Sequence, residues 1–256
     1  MKKQIFFRGF WPAFAVIMLF AAFTLQNKPT VYIIGDSTVQ NTGKGQAGWG
    51  TYLIDFLDSN KVNVSNQAAA GRSTRTFIKE GRWDKVLSTL KPGDYVFMQF
   101  GHNEGAKPST TDRFGARGVL RGTGNDTLEL IWPSGEKEVV YTYGHYLRRF
   151  IREAKAKGAT PVVLSMIPRN QWVNGKVKRA DNDYGKWAKE AAELDGALFV
   201  DLNKITADKY DIMGPEKVKE LFPGDHTHTN QAGARINAAS VAEGLRLQKQ
   251  LTKYLR

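Results

Sequence analysis

The sequence has no cysteine. Disulfide scaffolds, thiolate metal sites and cysteine nucleophiles are therefore excluded. Acidic residues are scarce beside basic ones, 25 Asp and Glu against 37 Lys and Arg, and none precedes Asp36. No internal repeat, low-complexity tract or break in composition divides the chain, so nothing marks a second domain. Only four histidines occur, which leaves few candidates for imidazole chemistry. What is present is a globular composition, 41% hydrophobic and 24% charged over 256 residues. That length suits one domain or at most two, with a core large enough to need no covalent staple.

Residues 1–25 have the layout of a secretory signal peptide: a short basic start (Lys2, Lys3, Arg8), then an apolar run interrupted only by Pro12 and Thr24. The alternative is an uncleaved N-terminal anchor, because the run approaches the length that spans a bilayer. Either reading predicts export, to the periplasm or the exterior, with membrane contact only if the segment is retained. The body, residues 29–256, is expected to be the working domain. Its charge stays near +9 once the three basic residues of the leader are removed. A positive field concentrates anionic partners. For an exported protein with scattered basic residues, an acidic polysaccharide fits better than nucleic acid, whose binding usually shows as a basic stripe.

Five short runs rich in Val, Ile, Phe and Tyr, at residues 31–34, 62–66, 95–100, 161–166 and 197–202, have the continuous apolar character of strands buried on both faces of a parallel sheet. Helical patterns near 49–57, 83–90, 143–157, 184–194 and 230–247 alternate with them. The alternation predicts an α/β fold, a three-layer α/β/α sandwich around a five-stranded parallel sheet. One segment breaks the pattern. Residues 101–140 are glycine-rich and loop-like, with a small hairpin expected at 128–132 and 138–141. Loops of that length in a compact domain usually serve function, and this one follows a strand end, where ligands of open α/β sheets bind.

The chemistry-bearing words lie at the expected strand ends. Gly35-Asp36-Ser37 follows the first strand, where a sharp turn exposes a serine hydroxyl and its backbone N–H. A helix cap is the competing reading of the same residues. Asp225 and His228, three apart before the last helix, can share one tight turn, with the carboxylate holding one ring nitrogen and the other facing a serine. By that spacing His226 is the less suited histidine. Gly71 after the second strand and Asn103 after the third offer a backbone N–H and a side-chain amide at the same sheet edge as Ser37. Donors converging on a developing negative charge are what acyl transfer requires. Gly71 also reads as a plain turn glycine.

Taken together, Gly35-Asp36-Ser37, Gly71, Gly101-x-Asn103 and Asp225-x-x-His228 resemble, in order and spacing, the four blocks of the SGNH or GDSL hydrolases. The surrounding words Gly-Asp-Ser-Thr-Val, Ala-Gly-Arg-Ser-Thr-Arg, Gly-His-Asn and Gly-Asp-His-Thr-His-Thr-Asn are similar to those of rhamnogalacturonan acetylesterases. The resemblance implies a flavodoxin-like sheet and no metal or cofactor. It implies Ser37 as nucleophile and first oxyanion donor, Gly71 and Asn103 as the other donors, His228 as base and Asp225 as its orienter. It also implies removal of O-acetyl groups from galacturonate in pectin, a polyanion that suits the basic chain. The family word usually reads Gly-x-Asn-Asp, whereas Glu104 stands here in the last place.

Arg72, Arg75 and Arg169 lie in the same strand-end segments and are candidates to pair with a substrate carboxylate, each with loop bracing as the alternative. Acetylated xylan or a smaller acetyl ester remains an alternative substrate. Two other readings compete with this one. A calcineurin-like metal-dependent phosphoesterase shares the letters of Gly-Asp and Asp-His-Thr-His, but needs a histidine where Thr38 stands and Asn before His where the chain has His102 then Asn103. A non-catalytic polysaccharide-binding protein is disfavoured by the full set of triad residues.

Overall fold

The computed structural model describes residues 28–256. The expected leader lies outside them. Among the described residues, no helix is long and apolar enough to cross a membrane. The strands are β1 (Thr30–Gly35), β2 (Asn63–Asn66), β3 (Tyr95–Gln99), β4 (Thr127–Ile131), β5 (Lys137–Tyr141), β6 (Thr160–Leu164), β7 (Trp172–Val173), β8 (Lys176–Val177) and β9 (Leu198–Val200). The α-helices are α1 (Thr74–Lys79), α2 (Arg82–Leu87), α3 (Tyr143–Ala156), α4 (Tyr184–Asp195), α5 (Leu202–Met213), α6 (Pro215–Lys219) and α7 (Gln231–Arg246).

Five strands form one parallel sheet in the order β2-β1-β3-β6-β9. Successive side chains along a strand point to opposite faces, so β1, β3 and β6 each feed two cores. Val31, Ile33, Tyr95, Phe97, Val162 and Leu164 pack with Trp49, Leu53, Val241 and Leu245, the side of α7. Ile34, Val96, Met98 and Val163 pack with Trp83, Leu147, Phe150 and Ala188, the side of α2, α3 and α4. Each fully buried large apolar side chain contributes roughly 1.5–3 kcal/mol. On the second face, Phe150 stacks on Phe100 with ring centroids 5.7 Å apart and meets Trp83 edge-on at 4.9 Å.

Register aligns the site. Gly35 of β1 pairs with Gln99 of β3, so the chain leaves both strands at the same height. Ser37 and Gly101 are each two residues further on. The loop after β2 is tied to the same edge, because Ala69 N–H donates to the Gly35 carbonyl at 3.0 Å. Gly35 itself has no room for a side chain: a Cβ there would lie 2.5 Å from the Gln99 carbonyl oxygen.

The predicted strands and the hairpin are present, with ends shifted by at most two residues. The helices differ from expectation at four places, one of them α6, which no predicted pattern covers. The segment near 49–57 forms two 3₁₀ turns, Trp49–Thr51 and Leu53–Phe56, rather than an α-helix. Helix α1 was not anticipated; Ser73 starts it with a capping box closed by Thr76. Helix α5 was also missed, because it begins immediately after β9. Asp201 caps it by accepting from Lys204 N–H, and Leu202, expected to finish a strand, is its first residue.

Candidate active site

Ser37 sits on the turn that ends β1, 7% exposed. Val39 and Gln40 N–H groups both donate to the Asp36 carbonyl, which closes the turn. Asp36 is fully buried, and its Oδ1 accepts from the Thr38 N–H at 2.8 Å and the Thr38 hydroxyl at 2.7 Å. Burial pushes the Asp36 carboxyl up to about 6 although both Thr38 bonds pull it down. Gln99 links this turn to the sheet, donating to Thr38 Oγ1 at 2.9 Å while accepting from Trp49 Nε1 at 2.8 Å. The turn that presents Ser37 is thus tied to buried partners on β3 and the following 3₁₀ segment.

The second turn, Asp225 to His228, comes from 188 residues further along and meets the first. His228 Nε2 lies 2.8 Å from Ser37 Oγ, and His228 Nδ1 lies 2.6 Å from Asp225 Oδ2. The other carboxylate oxygen, Oδ1, accepts the backbone N–H groups of Thr227 and His228, each at 2.7 Å. Burial raises the Asp225 carboxyl, but the His228 ring and these two amides outweigh it and hold it at about 2. An ionised carboxylate only accepts hydrogen bonds, so Nδ1 carries the imidazole proton. In the neutral ring Nε2 is then the acceptor, and the Ser37 hydroxyl donates to it. This arrangement can take a proton from serine as its oxygen attacks a carbon.

Flanking bonds position that turn. Ala47 N–H donates to the Thr229 carbonyl at 2.8 Å, and Asn170 N–H donates to the His226 carbonyl at 2.8 Å. Asn230 caps α7 by accepting from Gly233 N–H at 3.0 Å. His226 contributes its backbone carbonyl here and makes no hydrogen bond to Ser37, whose hydroxyl is bonded to His228 instead.

The turn after β3 is built around Glu104. Its Oε1 accepts from Thr74 N–H at 2.8 Å; its Oε2 accepts from Gly101 at 3.0 Å and Asn103 at 2.9 Å. The side chain is completely buried. Burial and the nearby Asp36 carboxylate push it up to about 8, against the pull of the three amides. The acid that departs from the family word therefore fits, bracing the Asn103 loop against the start of α1. Asn103 Nδ2 donates one hydrogen to the Arg72 carbonyl at 3.0 Å, which leaves its second N–H free for an incoming oxygen. Gly71 adopts φ +77°, a left-handed conformation that favours glycine.

The three candidate arginines have different surroundings. Arg75 is 1% exposed; its guanidinium forms a fork on Glu138 at 2.7 and 2.8 Å and donates to the Gly115 and Gly118 carbonyls. It braces the long loop, and the expectation that it reaches a substrate carboxylate is corrected accordingly. Arg72 is engaged by Glu80 at 2.9 Å and by the Ala70 carbonyl. Arg169 donates to the His102 carbonyl at 3.3 Å, while its buried Nε has no partner among the described residues. His102, next to Asn103, has both ring nitrogens buried and unpartnered. Burial, with Arg169 nearby, pushes it well below the ordinary imidazole value, so it is neutral. Sequence reasoning missed Arg117, which comes from the long loop and donates through Nη1 to Asn103 Oδ1 at 3.4 Å. No motif marked it, because it lies 14 residues beyond the Gly-x-Asn word.

Among the described residues, no three His, Asp or Glu side chains group in a way that could hold a metal ion. The parallel five-stranded sheet brings Ser37, Asp225 and His228 together at its carboxyl edge. The chain belongs to the GDSL-like lipase/acylhydrolase family, whose model matches residues 33–236. It is 34% identical to a rhamnogalacturonan acetylesterase of Emericella nidulans over 88% of this chain and 89% of that protein. It is 31% identical to a probable rhamnogalacturonan acetylesterase, YesY, of Bacillus subtilis, over 84% and 92%. Among solved structures, the Bacillus subtilis protein YxiM superposes with a TM-score of 0.70 at 27% identity. That match covers 87% of this chain and 57% of YxiM. The acetylxylan esterase Axe2 of Geobacillus stearothermophilus gives a TM-score of 0.57 at 18% identity over 85% and 94%, a likeness of fold. These matches support an esterase.

Proposed function

We propose that the chain hydrolyses O-acetyl groups on an acidic plant polysaccharide, acetylated rhamnogalacturonan, by a serine mechanism without metal or cofactor. The observation that carries the mechanism is the continuous relay from Ser37 Oγ through His228 to Asp225, with both links at 2.8 Å or less. His228 Nε2 takes the Ser37 proton as Oγ attacks the acetyl carbonyl carbon. The carbonyl electron pair moves to oxygen, where the Ser37 N–H, the Gly71 N–H and the free Asn103 amide hydrogen stabilise it. On collapse, the C–O bond to the sugar breaks and His228 returns the proton to the departing sugar oxygen. An acetyl ester on Ser37 remains. Water then attacks that ester with His228 again as base, and release of acetate restores the serine. Asp225 stabilises the imidazolium at each step and stays ionised.

The substrate reading is supported by the relatives named rhamnogalacturonan acetylesterases at 30–34% identity and by a basic chain that suits a polyuronide. Export, read from residues 1–25, brings the enzyme to such a polymer. The test is acetate release from acetylated rhamnogalacturonan, acetylated xylan and a neutral aryl acetate compared side by side. The highest kcat/KM is expected on rhamnogalacturonan. Faster release from xylan overturns the substrate and keeps the mechanism; no loss of turnover in Ser37→Ala overturns the mechanism.

A further inference from the structure

The long loop after β3 carries a tight turn over the Asn103 side of the site. Ser109 N–H donates to the Gly115 carbonyl, Asp112 Oδ1 accepts from the Phe114 and Gly115 amides, and Arg75 grips the Gly115 and Gly118 carbonyls from beneath. Held this way, the turn presents Arg113, Phe114 and Arg117. Arg117 Nη2 lies 3.1 Å from where a Cβ on Gly71 would stand, and Nη1 reaches Asn103. The guanidinium therefore lies against both candidate oxyanion donors.

Nothing acidic neutralises it. Among the described residues neither Arg113 nor Arg117 has an ion-pair partner, in a chain where Arg72, Arg75, Arg148, Arg152 and Arg179 all have one. Burial and the neighbouring Arg113 and Arg72 lower the Arg117 pKa. Glu80, the one acid that opposes this, is already engaged by Arg72 and Arg82. Phe114 is 54% exposed, with the Arg113 guanidinium 4.7 Å and that of Arg117 5.9 Å from its ring centroid. Half-buried, uncompensated positive charge beside an exposed aromatic ring is complementary to a sugar that carries a carboxylate.

We propose that Arg117, with Arg113 and Phe114, forms a hexuronate subsite beside Ser37. A backbone uronate carboxylate accepts the Arg117 fork, and the sugar ring packs on Phe114. This rests on the polyuronide reading above and deepens it. Neutral acetylated sugars lack the group that the fork recognises, so the subsite acts as a specificity determinant.

The experiment compares kcat/KM for acetate release from acetylated rhamnogalacturonan oligomers with free carboxylates and from the same oligomers methyl-esterified. Wild type, Arg117→Gln, Arg117→Lys and Phe114→Ala are measured. Wild type is expected to favour the free acid by about 10-fold or more, through KM, as a charge-assisted fork predicts. Arg117→Gln brings that ratio close to one, Arg117→Lys keeps part of it, and Phe114→Ala raises KM for both oligomers. An equal fall on both oligomers in Arg117→Gln, with the ratio intact, means that Arg117 only orients the Asn103 amide, and overturns the subsite while leaving the rhamnogalacturonan reading standing. Wild type preferring acetylated xylan to the free-acid oligomers overturns both. Thermal unfolding of each variant separates loss of the subsite from loss of the fold.

Discussion

On one side of Ser37, the Asp225 carboxylate keeps its bonds within four residues and, with His228, stays near water, the two side chains being 40% and 25% exposed. On the other side, the Gly101–Glu104 turn places its carboxyl group in the interior and bonds it to Thr74, thirty residues away. The arginine next to Thr74 does the same over 63 residues, from Arg75 to Glu138. The two sides divide the work. A locally closed, partly hydrated turn can hold a base whose charge changes during a cycle, whereas a buried network fixes donors that must not move. Breaking the first should abolish chemistry and spare the fold. Breaking the second should weaken the fold, and chemistry only as a consequence.

The largest effect that can break this contrast is on turnover. Ser37→Ala and His228→Ala are each expected to lower kcat/KM for acetate release by about 10⁴-fold or more, with little change in Tm. His226→Ala is expected to cost a few-fold at most. An inactive His226→Ala with a working His228→Ala would place the base on the wrong residue and dissolve the comparison.

Next is stability. Glu138→Ala leaves the Arg75 guanidinium buried without its carboxylate, an uncompensated charge that costs roughly 3–5 kcal/mol. Urea unfolding reads this directly, and a loss below about 1 kcal/mol would make the pair no more important than a surface contact. Arg75 and Lys79, with Trp132, outweigh burial and hold the Glu138 carboxyl at about 2. Its contribution is therefore complete above the unfolded carboxyl range and is lost as pH falls through about 2.

The pH profile sharpens the same division. If a neutral imidazole accepts the serine proton, kcat/KM falls on the acid side of neutrality. Asp225 is not the cause, because a carboxyl held at about 2 keeps its bond to His228 until far lower pH. Asp36, raised to about 6 by burial, titrates in the window. The acid limb is expected to persist in Asp36→Asn; its disappearance would move the titration from the exposed side to the buried one. A rate flat from pH 5 to 9 in wild type would remove the base altogether. The smallest effect is that of salt. Raising ionic strength should weaken polymer turnover a few-fold more than turnover of a neutral aryl acetate, since only the polyanion feels the screened field.

How much of this was legible in the sequence follows the same line. Asp225 and His228 are three apart, and a spacing of three predicts one shared turn, which is what their bonds form. The five strands were legible because burial on both faces makes them continuously apolar. Helix α5 was not, since it starts without a loop and its first apolar residue extended the strand pattern. Of the arginines, Arg75 was placed by its neighbours in the chain at the site, yet it points inward to Glu138. Arg117 went unnoticed because its only relation to Asn103 is spatial.

By itself the sequence determined the layered α/β architecture, the set of residues capable of serine chemistry and their order, because hydrophobic period and short-range spacing are properties of the chain alone. Tertiary structure decided which arginine braces and which one faces the reaction, and why Glu104 is accommodated. Those outcomes depend on burial and on partners 14 to 63 residues away, and the desolvation that makes a carboxylate or guanidinium a brace exists only once the sheet register has brought them together.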